Sequence, residues 1–291
     1  MITMALTPQQ IQTATRALKE QRPAYTPMLD FYEQVFMAQQ DSKKRLSIEP
    51  LVLSEDILAV KAKEKFPLVN LNEFVIDSDA SETLFKQICE ISQTANDDIS
   101  ASTKIILGAI DKKELAVETF FINLLEGKDD FFIGLAKSLH IDKAILAFIS
   151  YISIQPSLIA CAEQLSTYLD SDVIWNQGYC PVCGNLPGLS LLEDEGKRSL
   201  FCSFCWHHWT AERINCPFCN NKKSETLSYF YSDKEPEYRV DVCDHCKKYI
   251  KTVDARKTER IIYPPLEQIS TLHLDMQAQE KGFESPIYLL I

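Results

Sequence analysis

The chain has 291 residues and a net charge of −11, with 30 Lys and Arg against 41 Asp and Glu. This acidity argues against a nucleic-acid binder, because nucleic-acid affinity comes largely from Lys and Arg that meet phosphates. The longest apolar run, from Ala144 to Ile154, is shorter than the roughly 20 residues of a membrane span. The first residues lack the basic and apolar regions of an export signal. We therefore expect a cytoplasmic protein without membrane insertion.

Residues 1–172 predict an all-α domain. Thr7, Pro8 and Gln10 match the N-cap, first and third positions of a capping box. A second helix is expected from about Pro27 to Gln40, where apolar residues recur on one face. Further helix starts are predicted at Ser54, Ser81, Asp111, Asp142 and Pro156. No catalytic motif is recognisable in this region.

Near residue 170 the pattern changes from helices to short β-type runs separated by turns. Two such runs are Glu225–Tyr231 and Tyr249–Val253. After a linker, one amphipathic helix is predicted at about Leu266–Lys281, followed by an apolar tail that we expect to be docked. The expected domains are thus a helical domain at 1–172, ribbons at 173–212 and 213–256, and a linker, helix and tail at 257–291.

Eight of the ten cysteines form four Cys-x-x-Cys knuckles. They are Cys180, Cys183, Cys202, Cys205, Cys216, Cys219, Cys243 and Cys246. In a reducing compartment such pairs indicate metal ligation rather than disulfides. The other two, Cys89 and Cys161, lie in helical patterns and are predicted to be small buried hydrophobic residues.

The four knuckles can be combined in sequential, nested or interleaved order. The sequential order leaves intervals that suit a hairpin between the two knuckles of each zinc-ribbon-like site. Proline follows the first cysteine of the knuckles that begin at Cys180 and Cys216, and Gly184 or Asn220 follows their last cysteine. Both Gly and Asn tolerate the positive φ of such a turn. We therefore predict site 1 at Cys180, Cys183, Cys202 and Cys205, and site 2 at Cys216, Cys219, Cys243 and Cys246, each holding one iron or zinc ion.

Neighbouring histidines and tryptophans are given non-ligand roles. His207, His208 and His245 are not needed as ligands beside eight cysteines and are predicted to lie on the surface. Trp206 and Trp209 are expected to cover site 1 or to pack the two ribbons together. Closed four-thiolate sites are mostly structural, so a scaffolding role is favoured over redox chemistry.

The C-terminal half resembles the FdhE family, accessory proteins of formate dehydrogenase formation. The motifs that carry the resemblance are CPVCGNLP (180–187), LFCSFCWHHWTAERINCPFC (200–219), CDHCKKYIKTVD (243–254) and LHLDMQAQEKGF (272–283). The segment PAYTPMLDFYEQVFMAQ (23–39) is similar to a lesser degree. Two departures are Glu267-Gln268, where the family is expected to have aspartates, and Ser285-Pro-Ile-Tyr288 near the end.

The resemblance implies an α-helical domain followed by two tandem rubredoxin-like, zinc-ribbon four-cysteine modules and a C-terminal helix, a multidomain α plus small β fold. It implies a cytoplasmic maturation factor, not an enzyme, that binds the catalytic subunit of a respiratory formate dehydrogenase, with iron associated with its cysteines. An iron–thiolate redox protein acting on that partner is the alternative, and a nucleic-acid-binding zinc ribbon is a third. The oligomeric state is left open by the sequence.

Overall fold

A computed structural model of the chain describes residues 6–170 and 173–287. The chain divides into two compact units. Of the described residues, the helical unit comprises Thr7–Leu51 and Leu71–Cys161, and the cysteine unit comprises Leu6, Val52–Asn70 and 162–287. The segment Val52–Asn70 thus joins the cysteine unit although it lies within the first 172 residues. The domain boundaries given above stay predictions.

Eight helices precede the sheet in the described residues. They are α1 Pro8–Gln21, α2 Thr26–Lys43, α3 Glu55–Glu64, α4 Ser78–Ser92, α5 Asp97–Asp111, α6 Val117–Leu125, α7 Asp129–Leu139 and α8 Lys143–Ser166. The capping box at Thr7 is present with both of its hydrogen bonds. The predicted second helix lies within α2, and Ser54 caps α3. The helical character of the N-terminal region is therefore confirmed.

Three predicted helix starts are wrong. Ser81 lies inside α4, which Asp77 caps by accepting from the Ala80 backbone N–H. Asp111 is the last residue of α5. Pro156 lies inside α8, which starts after Asp142.

Proline is tolerated inside α8 because a side chain supplies the hydrogen bond that the ring removes. Pro156 has no N–H to donate to the Ile152 carbonyl, four residues earlier. The Gln39 side chain of α2 donates to that carbonyl instead, at 2.7 Å. Gln39 is itself buried and also donates to Gln155. A single long helix therefore stands where the sequence predicts two.

Helix α8 is also apolar enough, by length and composition, to cross a membrane. Its most apolar window has a mean hydropathy of 1.8, but 67% of that window is buried inside the protein. Core helices of folded proteins have the same composition. Among residues 6–170 and 173–287, no second helix meets this criterion.

The predicted buried positions of Cys89 and Cys161 are confirmed, since neither has any exposed surface.

The cysteine unit is built on one six-stranded sheet with the order β3-β2-β1-β6-β5-β4. The strands are β1 Pro187–Leu192, β2 Arg198–Cys202, β3 His208–Ala211, β4 Leu227–Tyr231, β5 Tyr238–Cys243 and β6 Lys248–Asp254. Each half is an antiparallel three-stranded ribbon, and β1 pairs in parallel with β6 to join the halves. The two tandem ribbons of the predicted fold class are confirmed, and they share one continuous sheet.

The predicted C-terminal helix is broken in two. Helix α9 spans Pro264–Ser270 and α10 spans Leu272–Glu280. At the break, Thr271 leaves the helical conformation, with φ −118° and ψ 27°. Its hydroxyl donates to the Glu267 carbonyl at 2.7 Å, a local bond that competes with the helical ladder and bends helices.

Glu267, one of the two departures from the family pattern, is a structural residue. Its carboxylate is completely buried. It accepts from the guanidinium of Arg260 at 2.5 and 2.7 Å and from the Tyr238 hydroxyl of β5 at 2.5 Å. The side chain therefore fastens α9 to the sheet and is unavailable to a partner.

The chain after α10 returns to the sheet. Glu284 forms a parallel bridge with Lys248, at the start of β6. Of the tail that we expect to be docked, residues 288–291 lie outside the described residues.

Candidate metal centres

The first cluster consists of the cysteines of site 1. The thiol sulfurs of Cys180, Cys183, Cys202 and Cys205 all lie within 4.8 Å of one another. Three pairs of sulfurs are 3.5 to 3.7 Å apart. None of the four residues is more than 5% exposed. Two knuckles flanking the β1–β2 hairpin thus bring four thiols into one enclosed position.

The second cluster consists of the cysteines of site 2. The sulfurs of Cys216, Cys219, Cys243 and Cys246 also lie within 4.8 Å of one another, with two pairs 3.6 and 3.7 Å apart. Cys216 and Cys243 are buried, whereas Cys219 and Cys246 are half-buried. The four thiols of the segment 202–219 therefore divide between two clusters, in the sequential order.

Both clusters have the dimensions of a tetrahedral metal site. Metal–sulfur bonds of about 2.3 Å place the sulfurs of a tetrahedron about 3.8 Å apart. The observed separations of 3.5 to 3.7 Å are close to that value. Each cluster could therefore hold one metal ion, and four-thiol geometry suits zinc and iron alike. Metal ligation by these eight residues stays a prediction.

The first knuckle of each cluster folds in the same way. The backbone N–H of Cys180 donates to the Asn185 carbonyl at 2.8 Å, and that of Gly184 donates to the Cys180 carbonyl at 2.9 Å. Equivalent bonds of 2.8 and 2.9 Å close the knuckle that begins at Cys216. Gly184 has φ +76° and Asn220 has φ +54°. The positive φ predicted for both turn residues is confirmed.

Two asparagines that the sequence analysis overlooked donate to the sulfurs. The side-chain amide of Asn185 donates to Cys183 at 3.6 Å, and that of Asn221 donates to Cys243 at 3.5 Å. Such donors orient metal ligands and stabilise their charged form. The repeated pattern Cys-Pro-x-Cys-x-Asn was the signal that could have identified them.

The second knuckle of each cluster also turns at a residue with positive φ. The residues at these two turns are larger than glycine or asparagine and tolerate a positive φ less well. Trp206 follows Cys205 with φ +59°, and Lys247 follows Cys246 with φ +56°. Large side chains adopt this region at a cost. Trp206 and Trp209 are both buried, with 7% and 5% exposure.

One histidine prediction needs correction. His208 and His245 are exposed, as expected. His207 is half-buried instead and stacks on the Trp209 ring, with the planes 11° apart. Burial, assisted by the neighbouring His208, lowers the pKa of His207 to about 4, so it is neutral at pH 7. None of the three belongs to either four-thiol cluster.

The pKa values of the thiols diverge within each cluster. In the first cluster, burial raises the pKa of Cys180 and Cys205 well above its ordinary value. Hydrogen bonds from the other thiols, that of Cys180 foremost, hold the pKa of Cys183 well below it. In the second, burial acts to raise the pKa of Cys243, but donors including the Cys246 backbone and the Asn221 side chain lower it to about 7. Metal binding to either cluster must therefore displace protons.

Remote segments of the cysteine unit brace the knuckles. The backbone N–H groups of Leu68 and Val69 donate to the carbonyls of Pro181 and Val182, each at 2.9 Å. This brace covers the first knuckle of the first cluster.

The second cluster has its own brace, at its last knuckle. The backbone N–H of Glu284 donates to the Lys247 carbonyl at 2.8 Å, and the Lys247 ammonium lies 5.5 Å from the centre of the Phe283 ring.

Gly178, just before the first knuckle, approaches the second cluster closely, because a Cβ there would lie 2.1 Å from the Pro217 carbonyl oxygen. The close approach couples the two clusters sterically.

Comparison with known proteins shows which family this chain is similar to. Residues 214–289 match the sequence profile of a family described as "FdhE, C-terminal domain". A protein FdhE homolog of Aquifex aeolicus is 37% identical over 139 residues, which are 46% of this chain and 47% of that protein. A protein FdhE homolog of Haemophilus influenzae is 27% identical over 226 residues, 74% of this chain and 67% of that protein. The chain thus spans about half the length of the first relative and two thirds of the second.

The fold is also that of a solved structure. The crystal structure of the FdhE protein from Pseudomonas aeruginosa superimposes with a TM-score of 0.67 and covers 98% of this chain and 96% of that one, at 18% identity. At that identity the likeness concerns the fold. Profile, relatives and fold agree, and the resemblance of this chain to the FdhE family, first indicated by its cysteine motifs, is confirmed.

Proposed function

We propose that the chain is a cytoplasmic, non-enzymatic accessory factor that binds the catalytic subunit of a respiratory formate dehydrogenase and assists its assembly. The observation that carries the proposal is the pair of four-thiol clusters in a chain that resembles the FdhE family. Each cluster holds one iron or zinc ion on its four cysteines. The ions supply folding free energy to the sheet that carries the knuckles, and so keep a binding surface rigid.

The thiols themselves support a structural use of the metal. Each ion is enclosed by four protein sulfurs, which leaves no coordination position for a substrate. Other residues of the chain hold the ligands in position: the asparagine amides orient two of the sulfurs, and the two braces fix the knuckles. The partner is held by protein surface rather than by the metal.

The proposal is tested by purifying the tagged chain gently from its native host under formate-respiring growth. We expect a formate dehydrogenase catalytic subunit to accompany it, and metal analysis to give two ions per chain. Cys180→Ser should lose metal and the fold of the cysteine unit, and Cys216→Ser should lose the ion of the second cluster, whereas Cys89→Ser, which alters a buried helical cysteine, should keep both ions. Recovery of no such subunit, or variants that keep metal and partner, would contradict the proposal.

The half-buried sulfurs of Cys219 and Cys246 favour one alternative, an iron–thiolate redox protein acting on the partner. Partial exposure lets an electron donor approach the second cluster closely. In that case the purified protein would be coloured, and its visible spectrum would change reversibly on reduction. A colourless, zinc-replete protein that is fully competent in assembly would exclude this alternative.

A further inference from the structure

The two edges of the sheet differ in how they are protected. The edge strand β3 is covered in part by the chain before β1, since the Trp175 backbone N–H donates to the Thr210 carbonyl at 3.0 Å. At the other end, β4 pairs with β5 on one side, and no further strand follows it in the part of the chain that the structure describes. Edge strands expose unpaired backbone groups to which another chain can pair.

Strand β4 lacks the charged residues and proline that often prevent such pairing. Its sequence, Leu-Ser-Tyr-Phe-Tyr from Leu227 to Tyr231, contains no charged residue, proline or glycine. Natural edge strands are commonly protected by lysine, proline or bulges. Aromatic residues also favour extended structure. The strand is thus suited to pair with an added strand.

Two tyrosines of β4 form an exposed aromatic surface. Tyr229 and Tyr231 are 56% and 53% exposed, and their ring centres are 6.2 Å apart. They lie on one face of the sheet because alternate residues of a strand point the same way. Tyrosine and arginine are, with tryptophan, enriched among the residues that dominate binding at the centres of protein interfaces.

Two cations lie over these rings. The Arg239 guanidinium is 4.7 Å from the centre of the Tyr229 ring, and the Lys257 ammonium is 5.6 Å from that of Tyr231. Asp241, opposite Tyr229 in the register, forms an ion pair with Arg239 at 3.0 Å. We define the β4 surface as Tyr229, Tyr231, Arg239 and Lys257. It carries two positive charges in a protein whose net charge is −11, and the carboxylates beside them, Asp241 and Asp254, are paired with Arg239 and Arg256.

We propose that the β4 surface binds an extended, acidic segment of a partner polypeptide, which adds to the sheet as a strand beside β4. Main-chain hydrogen bonds to the edge give affinity, and side chains at alternate positions give specificity. The aromatic rings take apolar or aromatic side chains, while Arg239 and Lys257 attract carboxylates. The proposal rests on the proposed function only where it assigns the segment to the formate dehydrogenase subunit.

The first test uses the full chain, with metal bound, and a synthetic probe. The probe is a short peptide of alternating glutamate and valine, and the control peptide has lysine in place of glutamate. We expect the acidic peptide to bind, to bind more weakly at high salt, and to lose at least about tenfold in affinity with Tyr229→Ser/Tyr231→Ser. Lys257→Glu should weaken the acidic peptide and favour the basic one.

Matched variants control for surface changes elsewhere. Met276→Ser alters an equally exposed apolar residue, 62% exposed, on α10, and Lys104→Glu reverses an exposed charge in the helical unit. Both should bind the acidic peptide as the unaltered chain does. Absence of binding, equal binding of the two peptides, or binding that the tyrosine variant retains would overturn the proposal. Tyrosine-dependent binding of a single-stranded oligonucleotide in place of the peptide would overturn it as well.

Repeating the co-purification with the same variants separates this proposal from the proposed function. If the unaltered chain recovers the catalytic subunit and Tyr229→Ser/Tyr231→Ser does not, both stand. If both recover it equally, the proposed function stands and the β4 surface is not its binding site. If neither recovers it while the peptide binds in a tyrosine-dependent way, the β4 surface stands and the partner is a different acidic polypeptide.

Discussion

The two cysteine clusters are alike in their knuckles and unlike in their surroundings. Both first knuckles read Cys-Pro-x-Cys-x-Asn, and they share backbone bonds of 2.8 and 2.9 Å. The first cluster is enclosed, with no cysteine more than 5% exposed, whereas Cys219 and Cys246 of the second are half-buried. Local sequence thus sets the geometry of a four-thiol site, and distant chain segments set its access to solvent. The difference in exposure predicts that the two clusters release their metal ions at different rates.

The largest expected effect is on the release of metal to a chelator. The second cluster should lose its ion first, roughly tenfold faster or more, because opening the first requires part of the fold to unfold locally. Later loss of the ion from the first cluster should unfold the cysteine unit, since coordination by a structural site contributes on the order of 10 kcal/mol. Release of zinc to a coloured chelator, recorded with near-UV circular dichroism, measures both steps.

Single-site variants assign the steps. Cys219→Ser should abolish the fast phase and leave the slow one, whereas Cys183→Ser should abolish the slow phase together with the near-UV signal of the folded cysteine unit. A single phase for both ions, or a fast phase that survives Cys219→Ser, would show that burial does not control release.

The next largest effect is expected at Gly178, where the two clusters approach each other. Gly178→Ala should destabilise the cysteine unit by about 1–3 kcal/mol, because the new Cβ overlaps the Pro217 carbonyl and forces the backbone to shift. The control is Gly108→Ala in α5, where a Cβ would meet nothing within 4 Å and should stabilise the helix by about 0.5–1 kcal/mol. Urea unfolding, followed in each unit, makes the comparison. Equal effects at the two glycines would refute the close approach.

A smaller, paired effect is expected from the asparagine amides. Asn185→Ala should weaken metal binding at the first cluster, and Asn221→Ala at the second, each by about 10- to 100-fold, because both remove a donor to a ligand sulfur. Competition with a chelator of known affinity measures each site separately. Similar losses at both sites would confirm that the knuckles are equivalent. A loss at the wrong site, or none, would contradict the assigned donors.

The smallest effect is expected from making the second cluster's turn like that of the first. Asn220→Gly should stabilise the knuckle by up to about 1 kcal/mol, since glycine adopts a φ of +54° without strain. The reverse change, Gly184→Asn, should destabilise, because the turn has φ +76° and a Cβ would lie 3.3 Å from the Pro67 side chain. Thermal unfolding of the metal-loaded protein measures both. Stabilisation by Gly184→Asn would contradict this account.

Sequence reasoning succeeded where structure is local. The capping box at Thr7 and the positive φ at Gly184 and Asn220 depend on residues within a few positions, and all were predicted. It failed at Pro156 because Gln39, more than a hundred residues away, replaces the missing donor. It also missed the break at Thr271, where a hydroxyl competes with the helical ladder.

The sequence by itself determined the cysteine knuckles, their sequential grouping and the change from helices to ribbons, because these follow from spacing and turn chemistry. Only the tertiary structure decided that the two ribbons share one sheet, that the segment Val52–Asn70 braces the first cluster, and that Glu267 is buried beneath Arg260. These features arise from contacts between residues far apart in the chain. No local pattern encodes them.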